Sequence, residues 1–468
     1  MEREVVIKRL REIVGPSDVL TSRADCATYG YDASVFQGAE VLAVAFPQST
    51  PEVAQIVRLA REANLPYLAR GTGTGISGGA IPTKGGLVVE LSKMNRVLEI
   101  DPANCRAVVE PGVINQDLKE ALASHGYGYT YVPDPGSQVV STIGGNVANN
   151  AGGMHCLKYG VTTNHIVGLE VVLPEGEVIT VGGKVLDHPG PQLTGLFVGS
   201  EGTLGIVTKV VVRIVRLPEL VTTQLALFKT VDDAAHAVSA IMAAGILPAA
   251  LELLDRACMD VVDKAVHIGY PAAAGAALII ELDGLRDGMP RLIDQVADIC
   301  QRHAVVDIRT ANTPEEAARI WLGRRAAYGA LARLAPTCYI VDGCVPRTQL
   351  PAALARTIEI GKTYGFAVAN IAHAGDGNLH PCIPFNIHDP DECQRVLACG
   401  SDILRMCAEM GGTITGEHGV GIEKQHEMPL VFSPTDLAVM HRVKEVLDPD
   451  ELCNPEKIFP LATRRGLI

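Results

Sequence analysis

The first part of the chain alternates short apolar runs with one amphipathic stretch. The runs EVLAVAF (40–46) and LPYLAR (65–70) have the length and composition of buried strands. Between them, TPEVAQIVRLAREANL repeats apolar residues at helical spacing, and we predict Thr50 as its N-cap and Pro51 as its first helical position. The pattern therefore predicts a β-α-β unit.

More strands are predicted downstream of this unit. GLVVEL, RVLEI and RAVVEPG are short apolar runs separated by turns, and NHIVGLEVVLPEGEVITV predicts a hairpin that turns at 174–176. The apolar segment GTLGIVTKVVVRIVRL ends near Leu217. We predict a mixed α+β first domain that spans residues 1–217.

Strand-length and helix-length segments alternate from about residue 220 to 390. TQLALF, AALIIELDG, VVDIRT and CYIVDGCVP have strand character, whereas VDDAAHAVSAIMAAG, MPRLIDQVADICQRH and TPEEAARIWLGRRAAYGALARL have helical periodicity. This alternation favours an antiparallel sheet covered by helices on one face, in a second domain at 218–410. The remaining segment, 411–468, contains a glycine-rich motif, a helix near 435–446 and a terminal NPEKIFP.

The length, net charge and cysteine spacing of the chain limit the classes of protein to which it can belong. A chain of 468 residues is expected to form two or three domains. Its formal net charge of −13 argues against nucleic acid as a partner. The 12 cysteines are scattered without any C-x-x-C spacing, which indicates reduced cytosolic thiols rather than ligands of an iron–sulfur or zinc cluster.

Targeting signals are not evident in the sequence. The charged start MEREVVIKRLREIVG lacks the apolar region of a secretory signal, and the most apolar run, AAAGAALII, is far shorter than the roughly 20 residues of a membrane span. We therefore expect a cytoplasmic protein without a direct membrane span, peripheral to a membrane only through partner subunits.

Residues 70–80, RGTGTGISGGA, form a glycine-rich loop that permits close approach to its backbone. Gly73, Gly75 and Gly78 match the spacing of a dinucleotide fingerprint, but Pro82 and two more glycines occupy the place of the helix that a Rossmann site requires. The G-K-[ST] ending of a P-loop is absent as well. A strand, a long glycine loop and a second strand can form an anion-binding nest instead, with a flexible surface turn as the alternative.

Two more loops of the same character follow, PDPGSQVVSTIGGNVANNAGGMHCLKYG (133–160) and FVGSEGTLGIVT (197–208). The three loops supply enough backbone N–H groups and Asn and Ser side chains to enclose a ligand as large as a dinucleotide. In order and character they resemble the FAD-binding oxidoreductases of the vanillyl-alcohol-oxidase, or PCMH, type. Within that superfamily the chain is similar, over nearly its whole length, to the catalytic subunit of glycolate oxidase and to the FAD-linked D-lactate and D-2-hydroxyglutarate dehydrogenases.

This resemblance implies both a fold and an FAD site. The α+β fold would combine a two-subdomain PCMH-type FAD-binding domain, an antiparallel-sheet cap domain for the substrate and a C-terminal segment that returns to the flavin site. The first loop would line the FAD pyrophosphate, the second would hold the flavin side and the third would contact the adenine end. The implied FAD-binding residues are Arg70, Gly71, Thr72, Gly73, Thr74, Gly75, Ser77, Gly78, Pro133, Asp134, Gly136, Ser137, Ser141, Gly144, Gly145, Asn146, Asn149, Ala151, Gly152, Tyr159, Gly160, Glu201, Gly202, Gly205, Ile206, Val207 and Asn454.

The FAD is expected to be bound non-covalently. Some members of the superfamily attach it through a His in the first loop, where this chain has Ile76 between Gly75 and Ser77. His155 and Cys156 in the second loop keep a covalent link open as the alternative.

The C-terminal third contains a candidate reaction site. NIAHAGDGNLHP carries His373 and His380, and GGTITGEHGVGIEK carries Glu417 and His418. Two His and one Glu suit a divalent transition metal, although loops held by ordinary hydrogen bonds account for these residues as well. The resemblance implies that His373, His380 and Glu417 bind Zn, Mn or Fe and that His418 is the general base.

A substrate carboxylate calls for a cation that can bind both of its oxygens. Arg324 and Arg325 are adjacent in IWLGRRAAYGA and therefore point to different faces of a helix. Relatives place the carboxylate-binding arginine three residues after a tryptophan, which selects Arg324 after Trp321. Ile340 stands where D-2-hydroxyglutarate enzymes carry a lysine, and this favours glycolate or D-lactate over a substrate with a second carboxylate.

The resulting hypothesis is FAD-dependent oxidation of a small D-2-hydroxy acid, with the C2 hydride passed to flavin N5 and the electrons to an acceptor other than NAD. The resemblance also implies a second flavin subunit and an iron–sulfur subunit as partners, with a homodimer as a further option. The alternatives are a D-2-hydroxyglutarate-type dehydrogenase, a flavin-carrying electron-transfer subunit without substrate chemistry, and a non-redox flavin enzyme of the alkylglycerone-phosphate synthase type.

Overall fold

In the computed structural model, which describes residues 1–185 and 189–461, the chain folds into two units. Unit 1 consists of Met1–Gly153, Val161–Leu217 and the C-terminal part from Glu417 onward. Unit 2 consists of Met154–Gly160 and Pro218–Gly416. The chain thus leaves unit 1 twice and returns to it for its last segment.

Strands and helices of both units are numbered in chain order. The strands are β1 (Val19–Leu20), β2 (Val41–Ala45), β3 (Tyr67–Arg70), β4 (Gly86–Glu90), β5 (Val97–Asp101), β6 (Arg106–Val109), β7 (Tyr129–Thr130), β8 (Ile166–Val172), β9 (Val178–Gly182), β10 (Ile206–Arg213), β11 (Val215–Arg216), β12 (Leu220–Phe228), β13 (Ala250–Asp255), β14 (Ala276–Gly284), β15 (Val305–Thr310), β16 (Thr337–Ile340), β17 (Gly343–Cys344), β18 (Ala369–His373) and β19 (Asn378–Phe385). The α-helices are α1 (Arg3–Val14), α2 (Arg23–Ala27), α3 (Thr50–Glu62), α4 (Asn115–Ser124), α5 (Ile143–Asn149), α6 (Cys156–Tyr159), α7 (Thr194–Phe197), α8 (Val231–Ala243), α9 (Arg256–Val266), α10 (Met289–Arg302), α11 (Pro314–Arg325), α12 (Ala327–Leu331), α13 (Leu350–Thr363), α14 (Pro390–Glu409) and α15 (Pro434–Leu447). Short 3₁₀ turns occupy Pro16–Asp18, Thr162–Asn164, Arg286–Gly288, Arg347–Gln349 and Gln425–Leu430.

Unit 1 contains a four-stranded sheet of order β1-β2-β4-β3 and a five-stranded sheet of order β5-β6-β10-β8-β9. Strands β2, β4 and β3 are parallel, and α3 connects β2 to β3, so the predicted β-α-β unit is confirmed. Ser49, not Thr50, is the N-cap of α3, because Ser49 has the extended backbone conformation and the helix already begins at Thr50. The predicted hairpin is confirmed as the antiparallel pair β8 and β9.

Each sheet of unit 1 has its own apolar core. Leu10, Val57 and Leu87 belong to the cluster that joins α1 and α3 to the parallel sheet. The cluster of the five-stranded sheet is joined by Val443 and Leu447 of α15. The C-terminal helix α15 therefore belongs to unit 1 because it packs there, which its position in the sequence alone did not indicate.

Unit 2 is built on an antiparallel sheet of order β15-β12-β14-β13-β18-β19-β16, in which β17 also pairs with β19. The antiparallel sheet was predicted, whereas β13, in which Glu252 interrupts an apolar run, and α9 were not. The helix that was predicted as one long element ends at Ala326 and continues as α12.

Both faces of this sheet are buried. Leu254, Ile279 and Ile371 share an apolar cluster with residues of α9, α11 and α12. Leu253 and Leu278, which point to the opposite face because side chains alternate along a strand, are also fully buried. Helices α8 and α10 contact β14, and α13 and α14 contact β19. The expectation of helices on one face is therefore wrong, and the continuous apolar runs LALF in β12 and AALII in β14 were the sign of two covered faces. No helix within the described ranges has both the length and the apolar character needed to cross a membrane.

Candidate functional site

The first glycine loop of unit 1 follows β3 and is crowded by two other segments of that unit. A Cβ atom at Gly71 would lie 2.3 Å from Oγ1 of Thr142, and one at Gly78 would lie 2.5 Å from Cγ1 of Ile422. Gly78 also has a φ of +76°, in the left-handed region that side chains disfavour. Both positions therefore require glycine, and the loop meets its neighbours through its backbone.

Arg70, predicted to bind FAD, is buried and braces the same loop. Its Nη1 donates a hydrogen bond to the carbonyl of Ala80 at 3.1 Å, and its guanidinium lies 5.6 Å from the ring centroid of Tyr29. The carboxyl of Asp32 accepts a hydrogen bond from the Ala80 N–H at 3.4 Å, and burial raises the pKa of Asp32. A buried cation and a buried acid, Arg70 and Asp32, therefore lie beside the N–H groups of this loop.

The second glycine loop leads into α5. Thr142 is the N-cap of this helix and accepts a hydrogen bond from the Gly145 N–H at 3.2 Å. A Cβ atom at Gly144 would lie 2.6 Å from Cβ of Pro111, so the first turn also packs through its backbone. The helix ends at Asn150, which has a φ of 51°.

Two buried polar atoms near the start of α5 have no hydrogen-bond partner within the described part of the chain. They are Oγ of Ser141 and Nδ2 of Asn146, on residues that are each 3% exposed. Buried polar groups of folded proteins almost always have a partner. These two atoms, next to glycines that leave no room for side chains, fit contacts to a polar bound ligand such as FAD.

The third glycine loop is tied to the C-terminal motifs of unit 1. The buried carboxylate of Glu201 accepts hydrogen bonds from the N–H groups of Val420 at 2.7 Å and Gly421 at 2.8 Å. Burial raises the pKa of Glu201 despite these bonds. Nδ2 of Asn454 donates to the carbonyls of Gly79 at 2.9 Å and Glu201 at 2.7 Å. The first loop, the third loop and the terminal NPEKIFP therefore form one hydrogen-bonded group.

Two buried lysines in the same region were missed by the sequence analysis. Nζ of Lys424 donates to Oγ of Ser77 at 3.3 Å and to the carbonyl of Gly419 at 2.9 Å. Nζ of Lys457 donates to the carbonyl of Ile81 at 2.8 Å, and burial lowers the pKa of Lys457 to about 7. Lys424 lies in GGTITGEHGVGIEK and Lys457 in NPEKIFP, two motifs that are of interest for other residues. Their place in these motifs is what could have indicated a role for the two lysines.

The remaining predicted FAD residues are divided between the units. Tyr159 and Gly160 belong to unit 2, whereas unit 1 contains Thr72, Gly73, Thr74, Gly75, Pro133, Asp134, Gly136, Ser137, Ala151, Gly152, Gly202, Gly205, Ile206 and Val207.

The segment that follows the second loop forms a polar cluster within unit 2. The hydroxyl of Tyr159 donates to the carboxylate of Asp283, which also pairs with Lys158. Burial and this carboxylate raise the pKa of Tyr159. Nε2 of His155 lies 2.8 Å from Oε1 of Glu281. The stretch treated as one flavin loop in the sequence is therefore split after Gly153 by the packing of unit 2.

In unit 2, strand register brings Glu252, His373 and His380 to one face of the sheet. Glu252 on β13 is directly opposite His373 on β18, and His380 on β19 is opposite Ile371, two residues from His373. Both His side chains are buried, with ring centroids 4.9 Å apart and ring planes at 89°. The structure therefore brings the two predicted metal ligands of unit 2 together.

Glu252, which the sequence analysis missed, links His373 to Arg324. Oε1 of Glu252 lies 2.6 Å from Nδ1 of His373, and Oε2 accepts a hydrogen bond from Nε of Arg324 at 2.6 Å. Burial favours the protonated form of Glu252, but its interactions with His373 and Arg324 outweigh this effect, and the pKa of Glu252 lies below its ordinary value. In the sequence this residue appears as a single acid within the apolar run ALELLD, which does not indicate the face of the sheet that its side chain occupies.

Helix α11 presents Trp321 and Arg324 to the same face of the sheet. Nε1 of Trp321 donates to Oε2 of Glu281 at 2.8 Å. The side chain of Arg324 is 16% exposed, whereas Arg325 is exposed. The two adjacent arginines thus have different environments, as the helical geometry predicted.

Asp342 lies near His380 and binds the backbone of Gly416, the last residue of unit 2. Its carboxylate lies 4.0 Å from Nδ1 of His380 and accepts a hydrogen bond from the Gly416 N–H at 3.0 Å. Glu417 and His418 are the next residues of the chain and belong to unit 1. The predicted ligands His373, His380 and Glu417 are two imidazoles and one carboxylate, a set of donors that suits a divalent transition metal.

Within unit 1, the backbone of His418 is held by the second glycine loop. Nδ2 of Asn149 donates a hydrogen bond to the carbonyl of His418 at 3.0 Å. A Cβ atom at Gly419 would lie 2.8 Å from Oε1 of Glu201, so the next residue packs against the third loop. The predicted base is therefore fixed to the same segments that are predicted to bind FAD.

The family model described as FAD linked oxidases, C-terminal domain, matches residues 217–458, and the model described as FAD binding domain matches residues 41–182. The glycolate oxidase subunit GlcD of Bacillus subtilis (strain 168) is 41% identical over 464 residues, which cover 99% of this chain and 98% of the relative. A D-lactate dehydrogenase of Anaerostipes hadrus is 32% identical over 470 residues, which cover 97% of both chains.

The solved structure of p-cresol methylhydroxylase with substrate bound is similar in fold. Its TM-score is 0.81 at 18% sequence identity, with 98% of this chain and 97% of that chain covered. At this identity the likeness concerns the fold alone. The predicted α+β fold with a PCMH-type FAD-binding domain is confirmed.

Proposed function

Because the chain belongs to the family of FAD-linked oxidases, we propose that it oxidises a small D-2-hydroxy acid, glycolate or D-lactate, to the 2-oxo acid. The family assignment confirms the resemblance drawn from the three glycine loops and makes FAD the cofactor. When bound, FAD supplies the hydride acceptor at flavin N5. The electrons then pass to an acceptor other than NAD.

The observation that carries this proposal is a series of neighbouring residues in unit 2, the partly buried Arg324 and the buried Glu252, His373 and His380. Nε of Arg324 is bound to Glu252, and its two terminal nitrogens make no hydrogen bond to any residue that the structure describes. Such an arginine can bind both oxygens of a carboxylate. The paired imidazoles next to it suit a metal ion, so one face of the sheet offers the two functions that a 2-hydroxy acid requires.

Each residue of this series has a distinct role in the proposed reaction. Arg324 binds the substrate carboxylate. His373, His380 and Glu417 would hold a divalent metal, which as a Lewis acid would lower the pKa of the substrate hydroxyl. His418 accepts the hydroxyl proton, for which an imidazole is suited near neutral pH. Asn149 fixes the backbone of that base.

The substrate is proposed to have one carboxylate. Ile340 at the end of β16 is partly buried and packs against the apolar cluster on the same face of the sheet. An apolar side chain at this position provides no charge for a second carboxylate. D-2-hydroxyglutarate is therefore the alternative substrate that the experiment must include.

We also propose that the chain works as one subunit of a larger enzyme, beside a second flavin subunit and an iron–sulfur subunit. The relative from Bacillus subtilis is named as a subunit of glycolate oxidase, and the 12 cysteines of this chain lack the spacing of cluster ligands. A cytoplasmic location, with membrane association only through such partners, remains a prediction.

Anaerobic titration with D- and L-2-hydroxy acids, followed by the absorbance of the oxidised flavin, tests the proposed reaction. Glycolate or D-lactate should bleach the flavin, and Arg324→Met should raise the KM at least about tenfold because a charged hydrogen-bond partner of the carboxylate is lost. The adjacent and exposed Arg325 gives the control variant Arg325→Met. Absence of bleaching by every acid, or equal KM values for the two variants, would contradict the proposal.

The metal requires its own experiment. His380→Ala, or removal of metal by a chelator, should abolish turnover and leave the flavin spectrum intact, because the metal acts on the substrate. His388→Ala changes an exposed histidine of the same unit and is the matched control. Unchanged flavin reduction by a metal-free preparation would remove the metal from the mechanism.

A further inference from the structure

Glu252 has two partners with different proposed tasks. One carboxylate oxygen meets Nδ1 of His373 and the other meets Nε of Arg324, each at 2.6 Å, and the side chain of Glu252 is 0% exposed. The first partner is a proposed metal ligand and the second is the proposed carboxylate-binding residue. A carboxylate can satisfy both because it accepts through two oxygens.

The charge of Glu252 determines how His373 is arranged. An ionised carboxylate only accepts hydrogen bonds, so Nδ1 of His373 must carry the proton in this contact. The lone pair of a neutral imidazole is then on Nε2, which is the tautomer that a metal ligand needs at that nitrogen. The contact thus fixes both the ring orientation and the coordinating atom.

The same carboxylate restricts Arg324. A bond at Nε holds the plane of the guanidinium, and the two terminal nitrogens remain as a parallel pair of donors. The cross-strand position of Glu252 opposite His373 is set by the register of β13 and β18, so the acid is fixed by the sheet rather than by a loop.

We propose that Glu252 is a positioning residue that orients the metal-binding His373 and the substrate-binding Arg324 at the same time. This inference rests on the proposed function. It implies that one substitution changes two properties that are otherwise independent, the affinity for metal and the KM for the hydroxy acid.

The test compares Glu252→Gln with the wild-type holoenzyme. The amide has a single oxygen and cannot accept from both partners. In the metal-depleted protein with FAD retained, the dissociation constant for Mn²⁺, measured by electron paramagnetic resonance, should rise about 10- to 100-fold. In the metal-loaded protein the KM for D-lactate or glycolate should rise roughly tenfold. Arg324→Met should raise KM alone.

Glu281→Gln is the matched control. Glu281 is a buried acid on the same face, opposite Ala250 on β13, and its partners are His155, Trp321 and Thr223. This variant should leave the Mn²⁺ affinity unchanged. Equal losses of Mn²⁺ affinity in the two variants would show a general effect on the sheet and overturn the positioning role.

The outcomes separate this inference from the proposed function. If no hydroxy acid reduces the wild-type flavin, the proposed function fails, and the Mn²⁺ measurement still decides the role of Glu252. Wild-type Mn²⁺ affinity and wild-type KM in Glu252→Gln would overturn the inference alone. If that variant does not fold, Glu252→Asp provides the same test, since its shorter carboxylate cannot keep both contacts and must alter at least one of the two constants.

Discussion

Replacing Gly71 by Ala should weaken FAD binding through a clash that the structure locates at one atom. The added Cβ would lie 2.3 Å from Oγ1 of Thr142, about 1 Å short of ordinary van der Waals contact. Thr142 cannot move freely because the same oxygen accepts the capping hydrogen bond from Gly145. Either the cap is lost or the first and second glycine loops separate.

The magnitude follows from these two costs. Loss of an N-cap costs about 1 kcal/mol, and an extra methyl group in a packed site costs roughly 1–3 kcal/mol. The variant should therefore lose about 2–4 kcal/mol in this part of unit 1. Because the two loops are the proposed FAD site, we expect the FAD dissociation constant to rise at least about tenfold.

The assay is a titration of the deflavinated protein with FAD, followed by flavin fluorescence. Gly195→Ala is the control, since Gly195 of unit 1 is not a predicted FAD residue and a Cβ there would meet no atom closer than 4.0 Å. Gly71→Ala combined with Thr142→Ala should bind FAD better than Gly71→Ala alone, because the clashing oxygen is gone. Wild-type affinity in Gly71→Ala, or strictly additive losses in the double variant, would refute the reasoning.

Three other predictions concern the cofactor, the acceptor and the pH dependence of stability. FAD should be released into the supernatant by acid precipitation, because the first loop lacks a His and His155 is engaged with Glu281; a yellow pellet would contradict this. The isolated chain should turn over with an indophenol dye and only poorly with oxygen or NAD, and oxygen consumption at the dye rate would mean that no partner subunit is needed. Burial raises the pKa of Glu90 to about 7, so the folded state binds more protons than the unfolded state between about pH 4.5 and 7 and loses stability as pH rises through that window. Glu90→Gln should therefore be more stable than wild type at pH 8, by up to about 3 kcal/mol, and as stable as wild type at pH 4. Thermal unfolding of both proteins at the two pH values measures this difference in stability, and a difference that does not depend on pH would refute the prediction.

The residues that were predictable from the sequence act through backbone conformation. Gly71 and Gly78 could be selected because a cluster of glycines has few explanations other than close approach, and the structure shows the neighbouring atoms that enforce it. The hairpin at β8 and β9 and the β-α-β unit were equally accessible, since their turn residues and periodicity are local. The cap of α3 was displaced by one residue because Ser49 and Thr50 are both good caps and only the backbone angles distinguish them.

Glu252 could not be found in this way, because its importance depends on strand register. An acid in the middle of ALELLD carries no motif, and a shift of one residue in the pairing of β13 with β18 would turn it to the other face of the sheet. Lys424 and Lys457 present the same difficulty, since the Ser77 hydroxyl and the Ile81 carbonyl to which they donate lie 347 and 376 residues away along the chain. A buried charge is costly unless it is paired, so such residues are retained where the fold supplies partners. The motifs of this chain therefore predict which groups act on the cofactor and substrate, whereas strand register and the partners of buried charges, which are visible only in the structure, determine how those groups are held.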